Sequence, residues 1–185
     1  LILPASLRNQ WAQELEEKFY LPTVVLDRLN YGRIRRQSTQ SPFDQADRVV
    51  IVSYQFAAIK RDEIRRIPWD LVVLDEAHRL RNVYRTGSKT ASLIRSAVED
   101  APKLLLTATP LQNSLLELYG LASIIDPHVF GDLDSFKEQF VRVADEGIRN
   151  DELRARLAPL CKRTLRKQVM EYIRFTKRRP ITQEF

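Results

Sequence analysis

Five short apolar runs, each bounded by polar or turn residues, recur along this 185-residue chain. They are LIL (1–3), TVVL (23–26), VVIV (49–52), LVVL (71–74) and KLLLT (103–107). Continuous runs of this kind are typical of strands buried on both faces of a parallel sheet, because a strand with one wet face alternates apolar and polar residues. The pattern therefore predicts a mostly parallel sheet.

Stretches with helical periodicity lie between these runs. After Ser6, a candidate N-cap, apolar residues recur at every fourth position from Leu7 to Phe19, which predicts an amphipathic crossover helix. Residues 88–98 predict a second helix, and 114–125 predict a buried third that Pro127 ends. Patterns at 130–143 and 149–160 predict further helices packed on the sheet edge.

Alternation of strands with helices indicates an open α/β fold with right-handed crossovers. In such sheets the chemistry lies at the carboxyl ends of the strands. The longest polar stretch, residues 28–47, is interpreted as a surface excursion. Its four arginines, Arg28, Arg33, Arg35 and Arg36, either lie near a polyanion or belong to a solvated loop, and the sequence leaves both open.

Composition adds limits rather than a function. The balance of 44% apolar and 29% charged residues is that of a globular domain with a packed core. A single cysteine, Cys161, excludes an intramolecular disulfide and fits a reducing, cytoplasmic location. No apolar run approaches membrane-spanning length, so no membrane partner is expected. The first residues carry no signal-peptide pattern, and they begin as if in mid-strand of something longer.

Two carboxylates, Asp75 and Glu76, follow the run LVVL directly, which places them at the carboxyl end of a predicted strand. A carboxylate in this position can hold Mg²⁺ through its waters, because magnesium keeps most of its hydration. A second carboxylate beside it can orient the attacking water in phosphoryl transfer. The plainer alternative is a strand-to-turn step with two solvated acids.

Further polar residues are expected at the same edge. His78 follows the carboxylates, and the next strand ends in Thr107, Ala108 and Thr109. Adjacent strands would bring the threonine hydroxyls near Glu76 and His78, which makes a hydrogen-bonded link between them reasonable. The alternatives are a satisfied surface histidine and threonines that cap the following helix.

Three segments together resemble a known family: LDEAHRLRN (74–82), LLLTATPLQNSLLELYGLASIIDP (104–127) and LILPASLRNQWAQELEEKF (1–19). They are similar to the DEAH box, the coupling motif and the early DNA-contacting motif of SWI/SNF-type ATPases of helicase superfamily two. The resemblance implies a RecA-like three-layer lobe, with a mostly parallel sheet flanked by helices. It also implies an ATP-dependent translocase on duplex DNA that uses ATP and Mg²⁺.

The same resemblance assigns roles to individual residues. It implies Asp75 for magnesium, Glu76 as the catalytic carboxylate, and His78 with Thr107, Ala108 and Thr109 for coupling hydrolysis to movement. It implies nucleic-acid contacts at Pro4, Arg8, Ser53, Tyr54 and Arg81. Gln112 and Asn113 match the family signature without a role we can name. The ending of the chain is similar to RNA-polymerase-associated and phage-defence members, so RNA polymerase or a defence complex is an expected partner.

A phosphate-binding loop of the usual pattern is missing from the sequence. The nearest match, TGSKTAS (86–92), lacks a second glycine and a preceding strand, and it is better interpreted as a helix start. The family carries its loop upstream of the segment matched here, so we expect the phosphate-loop strand to be absent and the isolated fragment to be inactive. Full binding of ATP and Mg²⁺ would need that loop.

The basic tail is the last feature. Residues 162–179 contain eight basic residues and one acid, a net charge of 8 − 1 = +7, which exceeds the +6 of the whole chain. We expect residues 1–160 to form a partial first lobe and 161–185 a linker toward an absent second lobe, with Arg163 and Arg166 on the DNA backbone. A solvated amphipathic helix is the alternative. Two other functions stay open: an RNA helicase lobe, which the extension LQNSLLELYGL disfavours, and a non-catalytic binding module.

Overall fold

The computed structural model describes residues 1–109, 114–143 and 146–162. Within these ranges one sheet is formed by β1 (Ile2–Leu3), β2 (Thr23–Leu26), β3 (Val49–Ser53), β4 (Val72–Asp75) and β5 (Lys103–Leu106). Every neighbouring pair is parallel. The α/β class and all five predicted strands are therefore confirmed.

The helices of the described residues fill the connections between strands. They are α1 (Arg8–Phe19), α2 (Arg28–Gln37), α3 (Tyr54–Ile59), α4 (Arg61–Arg65), α5 (Lys89–Ala97), α6 (Leu115–Ile125), α7 (Leu133–Phe136) and α8 (Glu146–Leu157). Two 3₁₀ turns, Ala5–Leu7 and Ala77–Leu80, and one π-helical turn, Lys137–Val141, complete them. Of these described helices, none is long and apolar enough to cross a membrane.

The strand order, β2-β3-β1-β4-β5, places the first strand in the middle of the sheet. From β1 the chain first forms the edge strand β2, returns to place β3 between β2 and β1, and then crosses to the other side for β4 and β5. The order therefore reverses between β1 and β4, and open α/β sheets bind ligands in the crevice at such a switch point. Asp75 ends β4 at this point.

One apolar core lies between the sheet and its helices. Leu26 and Leu74 from strands, Ile94 from α5 and Leu80 after β4 are at most 1% exposed and belong to the same cluster. Burying side chains of this size contributes about 1.5–3 kcal/mol each. The central strands are thus anchored on their helices, which fixes the strand ends where the polar residues lie.

The first helix starts later than the sequence predicts. Ser6 lies inside the 3₁₀ turn, and Leu7 occupies the N-cap position of α1 with no side-chain capping bond. The Ser6 prediction was wrong because the turn itself, closed by the Leu7 amide on the Pro4 carbonyl at 2.9 Å, leads the chain into the helix. Phe19, predicted on the inner face, is 66% exposed.

The first half of the polar stretch 28–47 is a helix and not a solvated loop. Arg28–Gln37 form α2, whose start is capped by the Asp27 carboxylate, which accepts from the amides of Leu29 and Asn30 at 2.9 Å. Tyr31 packs its ring on Phe43 and Phe56, with centroids 6.0 and 5.7 Å away. A polar composition hid this helix because few of its residues face inward.

Predictions for the remaining helices were mixed. Ser88 is the N-cap position of α5, and α6 ends at Ile125 with much of its length buried, as expected. The segments at 130–143 and 149–160 are largely helical, but their main contacts are not with the sheet edge. The π-helical turn of the first segment contacts α6, and α8 of the second contacts that turn. They form a second cluster around Phe130, Phe136 and Phe140, because three aromatic side chains are enough to build a core of their own.

Candidate functional site

The two carboxylates lie at the carboxyl end of β4, as the sequence predicts. Register pairs Ile2 with Leu74 and Asp75 with Leu106, so β1 and β5 flank the Asp75 position. Glu76 follows immediately in the left-handed region, with φ of 54°. A non-glycine residue rarely adopts this conformation, and such strain clusters at functional sites.

Asp75 is held by hydrogen bonds from three elements. Its Oδ2 accepts from the Trp11 indole, its Oδ1 from the Glu76 amide, and its backbone oxygen from the Tyr54 hydroxyl, each at 2.8 Å. Burial raises the pKa of the Tyr54 phenol well above its ordinary range, and the nearby Asp75 charge adds to the rise. Tyr54 therefore stays a protonated donor to the strand end.

His78 lies against Glu76. Its Nδ1 is 3.0 Å from the Glu76 Oε2, a contact that becomes an ion pair when the imidazole is protonated. The two atoms are not aligned for a hydrogen bond, and Nδ1 has no such partner in the described part of the chain. The pair is about one-third exposed, with side-chain values of 31% and 38%.

The threonine segment lies beside the carboxylates. Because Asp75 pairs with Leu106 at the end of both strands, Thr107 and Glu76 are the residues that directly follow the paired positions. The Thr107 hydroxyl accepts from the Thr109 amide at 3.2 Å across Ala108, which closes a local turn. Between residues 1 and 109, no hydrogen bond joins either threonine to Glu76 or His78. The strand neighbourhood is as expected, and the coupling link stays a prediction.

The predicted nucleic-acid residues of the first half lie near one another. Pro4 is buried where β1 ends, and Arg8 lies 4.0 Å from Asp27 across the mouth of a cleft. Ser53 caps α3 by accepting from the Phe56 amide at 3.2 Å. Tyr54 is only 3% exposed, so its aromatic ring faces the core and its hydroxyl faces Asp75.

This cleft has a volume of about 410 Å³ at the carboxyl ends of β2 and β3. Arg8, Arg28, Ser53 and Gln55 supply its polar lining, and Leu29, Phe56 and Ile59 supply apolar walls beside Asp27. Hydroxyl, amide and guanidinium donors of this kind suit phosphate oxygens. The two arginines and Ser53 therefore face one shared space.

Arg81 occupies a different environment from the other predicted contacts. Its guanidinium lies 3.5 Å from the Glu117 carboxylate, and their side chains are 22% and 7% exposed. The pair joins the segment after the carboxylates to α6. Arg163 and Arg166, like Gln112 and Asn113, lie outside the described residues.

The carboxylates suit a hydrated Mg²⁺ ion, which needs few protein ligands, better than a metal that is coordinated by several side chains. In the described ranges no three histidine, cysteine or acidic side chains converge. Each Asp75 carboxylate oxygen accepts one hydrogen bond, which leaves lone pairs for waters of a hydrated Mg²⁺. Asp75 would hold the hydrated ion, and Glu76 lies beside it.

Three residues of the site escape the sequence patterns. The sequence pattern indicates Trp11 only as part of an apolar helix face, although the N–H of a buried indole needs a hydrogen-bond acceptor. Glu117 is the one acid in an otherwise apolar helix, which is the signal that could have indicated a buried partner. Gly120 in the same helix marks a close approach of backbones.

A parallel α/β sheet with paired carboxylates at its switch point defines a RecA-like lobe. Comparison with known proteins specifies the family: residues 1–180 match the SNF2-related domain, and the chain belongs to that family. The uncharacterized ATP-dependent helicase YqhH of Bacillus subtilis is 35% identical over 144 residues, covering 77% of this chain and 23% of the relative. The RNA polymerase-associated protein RapA of Erwinia tasmaniensis is 30% identical over 168 residues, 83% and 17% of the two chains.

Solved structures agree on the fold. The Sulfolobus solfataricus SWI2/SNF2 ATPase core in complex with dsDNA superposes with a TM-score of 0.64 at 22% identity, covering 85% of this chain and 31% of that one. The same core without DNA gives 0.60. The chain thus spans less than a quarter of the curated relatives described above. ATP dependence is a property named for the YqhH relative.

Proposed function

We propose that this chain forms much of the first lobe of a DNA-dependent ATPase that couples ATP hydrolysis to movement along duplex DNA. The observation that carries the proposal is the carboxylate pair at the switch point, with Glu76 in a strained left-handed conformation at the end of β4. Residues 1–160 would form the lobe and 161–185 a linker to a second lobe. The described fragment alone would not hydrolyse ATP.

In this proposal the two carboxylates have different tasks. Asp75, fixed by the Trp11 indole, the Glu76 amide and the Tyr54 hydroxyl, holds the hydrated magnesium ion of Mg-ATP. Bound Mg²⁺ supplies neutralisation of charge on the phosphates. Glu76, the next residue along the chain, orients the attacking water. The DEAH sequence of residues 75–78 is consistent with this division.

His78 and the threonine segment would couple hydrolysis to movement. Thr107 and Glu76 directly follow the paired residues Leu106 and Asp75, so a shift of this strand end would change the surroundings of the catalytic carboxylate. In this proposal His78 Nδ1, which is buried and close to Glu76, would exchange its contact with the same segment. Thr109 is tied to Thr107 and would move with it.

Duplex DNA would enter along the cleft at the carboxyl ends of β2 and β3. Arg8 and Arg28 provide charge there, and Ser53 provides a hydroxyl on the same wall. Helix α2 then extends the basic surface through three more exposed arginines, Arg33, Arg35 and Arg36. In the described chain no carboxylate lies within 4.0 Å of any of the four α2 arginines, whereas Arg65, Arg154 and Arg156 on other helices are ion-paired.

The proposal extends to partners. RNA polymerase is one expected from the sequence, and the name of the RapA relative supports it. The defence complex stays a prediction from the sequence. Arg163 and Arg166 stay proposed DNA contacts of the linker.

The test is ATP hydrolysis by the full-length protein, measured with no nucleic acid, with blunt duplex DNA and with structured RNA. We expect stimulation by duplex DNA. Stimulation by RNA alone would indicate the RNA helicase alternative. DNA binding without any hydrolysis would indicate a non-catalytic binding module, and either result overturns the proposal.

A further inference from the structure

Two donors on Asp75 come from the segments that line the proposed DNA cleft. Trp11 lies on α1, one turn beyond Arg8, and its indole donates to the Asp75 carboxylate at 2.8 Å. Tyr54 follows Ser53 directly, and its hydroxyl donates to the Asp75 backbone oxygen at 2.8 Å. Arg8 and Ser53, which line the cleft, therefore each lie on the same helix as, or next in sequence to, a residue that hydrogen-bonds Asp75.

Both paths run through rigid elements. Arg8 and Trp11 share one α-helix, so a rotation that brings Arg8 toward a ligand also moves the indole. Ser53 is the N-cap of α3 and Tyr54 is its first residue, so a pull on this cap shifts the phenol with it. Packed elements of this kind transmit small displacements instead of absorbing them.

The geometry of the bonds makes Asp75 sensitive to such displacements. An indole and a phenol each carry a single directional donor. The indole fixes one carboxylate oxygen, the phenol fixes the end of the strand, and both are needed to hold the carboxylate in one orientation. A magnesium ion bound through water responds to that orientation, because its octahedral geometry is demanding.

We propose that Trp11 and Tyr54 are positioning residues that transmit occupancy of the cleft by duplex DNA to the magnesium carboxylate Asp75, and so set the DNA stimulation of hydrolysis. The inference rests on the proposed function and adds its route of activation. Neither residue touches ATP in this account. Each acts through Asp75.

The test uses Trp11→Phe and Tyr54→Phe in the full-length protein. For each variant, ATP hydrolysis is measured with and without saturating duplex DNA, and the Mg²⁺ concentration for half-maximal ATP binding is determined by titration calorimetry. We expect the ratio of stimulated to unstimulated rate to fall by about tenfold in Trp11→Phe, the effect of losing one hydrogen bond to a charged acceptor. In Tyr54→Phe the ratio should fall by less, because the lost acceptor is a neutral carbonyl. The Mg²⁺ requirement should rise in Trp11→Phe.

Matched controls separate this role from general stability. Trp69→Phe removes an indole donor that reaches the Ile64 carbonyl at 2.8 Å, and Tyr119→Phe removes a hydroxyl on the Gly131 carbonyl at 3.2 Å. Both controls should keep the wild-type ratio. Tyr54→Phe removes one oxygen atom only, so it tests the proposal even if Trp11→Phe folds poorly.

Two results overturn the inference. One is a proportional loss of stimulated and unstimulated rates, which indicates a structural role without transmission. The other is a wild-type ratio and Mg²⁺ requirement in both variants. In each case wild-type stimulation by DNA would still stand, so failure of the inference is distinguishable from failure of the proposed function.

Discussion

The Arg81 guanidinium lies 3.5 Å from the carboxylate of Glu117, which is 5% exposed inside α6. The sequence predicts Arg81 as a nucleic-acid contact, and its placement gives it a second task. It compensates a buried charge and ties the segment after the catalytic carboxylates to the helix after the threonines. A buried carboxylate without such a partner would be costly.

Replacement of Glu117 by Ala should therefore destabilise the fold by about 2–4 kcal/mol, because it leaves Arg81 partly buried without this partner. Denaturant unfolding of the purified domain measures the change. Glu152→Ala on α8 is the control, since its pair with Arg156 is 34–45% exposed and should cost less than about 1 kcal/mol. Equal losses of unfolding free energy in the two variants would contradict a stabilising role of the Arg81–Glu117 pair.

Gly120 and Gly32 offer a matched pair inside two helices. A Cβ on Gly120 would lie 2.9 Å from the Arg81 carbonyl carbon and closer still to its oxygen, whereas a Cβ on Gly32 meets nothing within 4 Å. Gly120→Ala should destabilise by about 1–3 kcal/mol through overpacking. Gly32→Ala should stabilise by about 0.5–1 kcal/mol, because Gly costs conformational entropy in a helix.

Thermal and denaturant unfolding of the two variants checks this pair. The opposite signs are the informative feature, since both changes add the same methyl group. A stabilising Gly120→Ala would show that α6 does not approach the Arg81 backbone.

Glu63 gives the fold an acid-sensitive contact. Burial alone would raise the pKa of this carboxyl, but hydrogen bonds from Lys60 and Tyr31, at 2.8 and 2.6 Å, outweigh burial and lower it below 4.5. The ionised form is therefore favoured by folding. Its stabilisation is present above the unfolded pKa and is lost as pH falls through the folded pKa.

We expect Glu63→Gln to be less stable than wild type near neutral pH, with the difference shrinking as pH falls below about 4.5. Tyr31→Phe removes one of the two donors and should show a smaller difference that fades in the same window. Unfolding free energies between about pH 7 and pH 3 measure both. A difference that stays constant over this range would count against the contact.

The α2 surface predicts a salt-dependent effect on DNA affinity. Changing Arg28, Arg33, Arg35 and Arg36 to Gln in the full-length protein should weaken duplex binding at low salt. It should also reduce the slope of log affinity against log salt by about 2–4 units, because each lost phosphate contact removes about 0.9. Arg154→Gln with Arg156→Gln, both ion-paired on α8, is the control and should leave the slope unchanged.

An unchanged slope in the four-residue α2 variant would mean that these arginines are solvated and contact no DNA. In that case the duplex would contact the cleft around Arg8 and Ser53 without α2.

Elements with a regular pattern of apolar residues could be predicted from the sequence. Continuous apolar runs are typical of strands buried on both faces, so all five strands were predicted. The position of Asp75 at a strand end was predicted because it directly follows one of these runs. Helix α2 was missed because its inner face amounts to Tyr31 and Ile34, too few residues for a clear period. Its N-cap residue, Asp27, did not identify the helix, because an aspartate also occurs in turns and on solvated surfaces.

Contacts between distant residues could not be found this way. Trp11 and Asp75 are 64 positions apart, and a tryptophan on an apolar face gives no sign of its acceptor. Arg81 and Glu117 are likewise joined only by the fold. Local patterns determine the elements, whereas these pairings depend on how β4, α1 and α6 pack.

The most direct test of the central claim is ATP hydrolysis by full-length Glu76→Gln, with Mg-ATP binding and duplex binding measured on the same preparation. The change keeps the shape of the side chain and removes only its charge. We predict that DNA-stimulated hydrolysis falls by at least about 100-fold while both ligands still bind. The matched Glu152→Gln variant should hydrolyse ATP at the wild-type rate. Wild-type hydrolysis by Glu76→Gln would contradict the assignment of this carboxylate as catalytic.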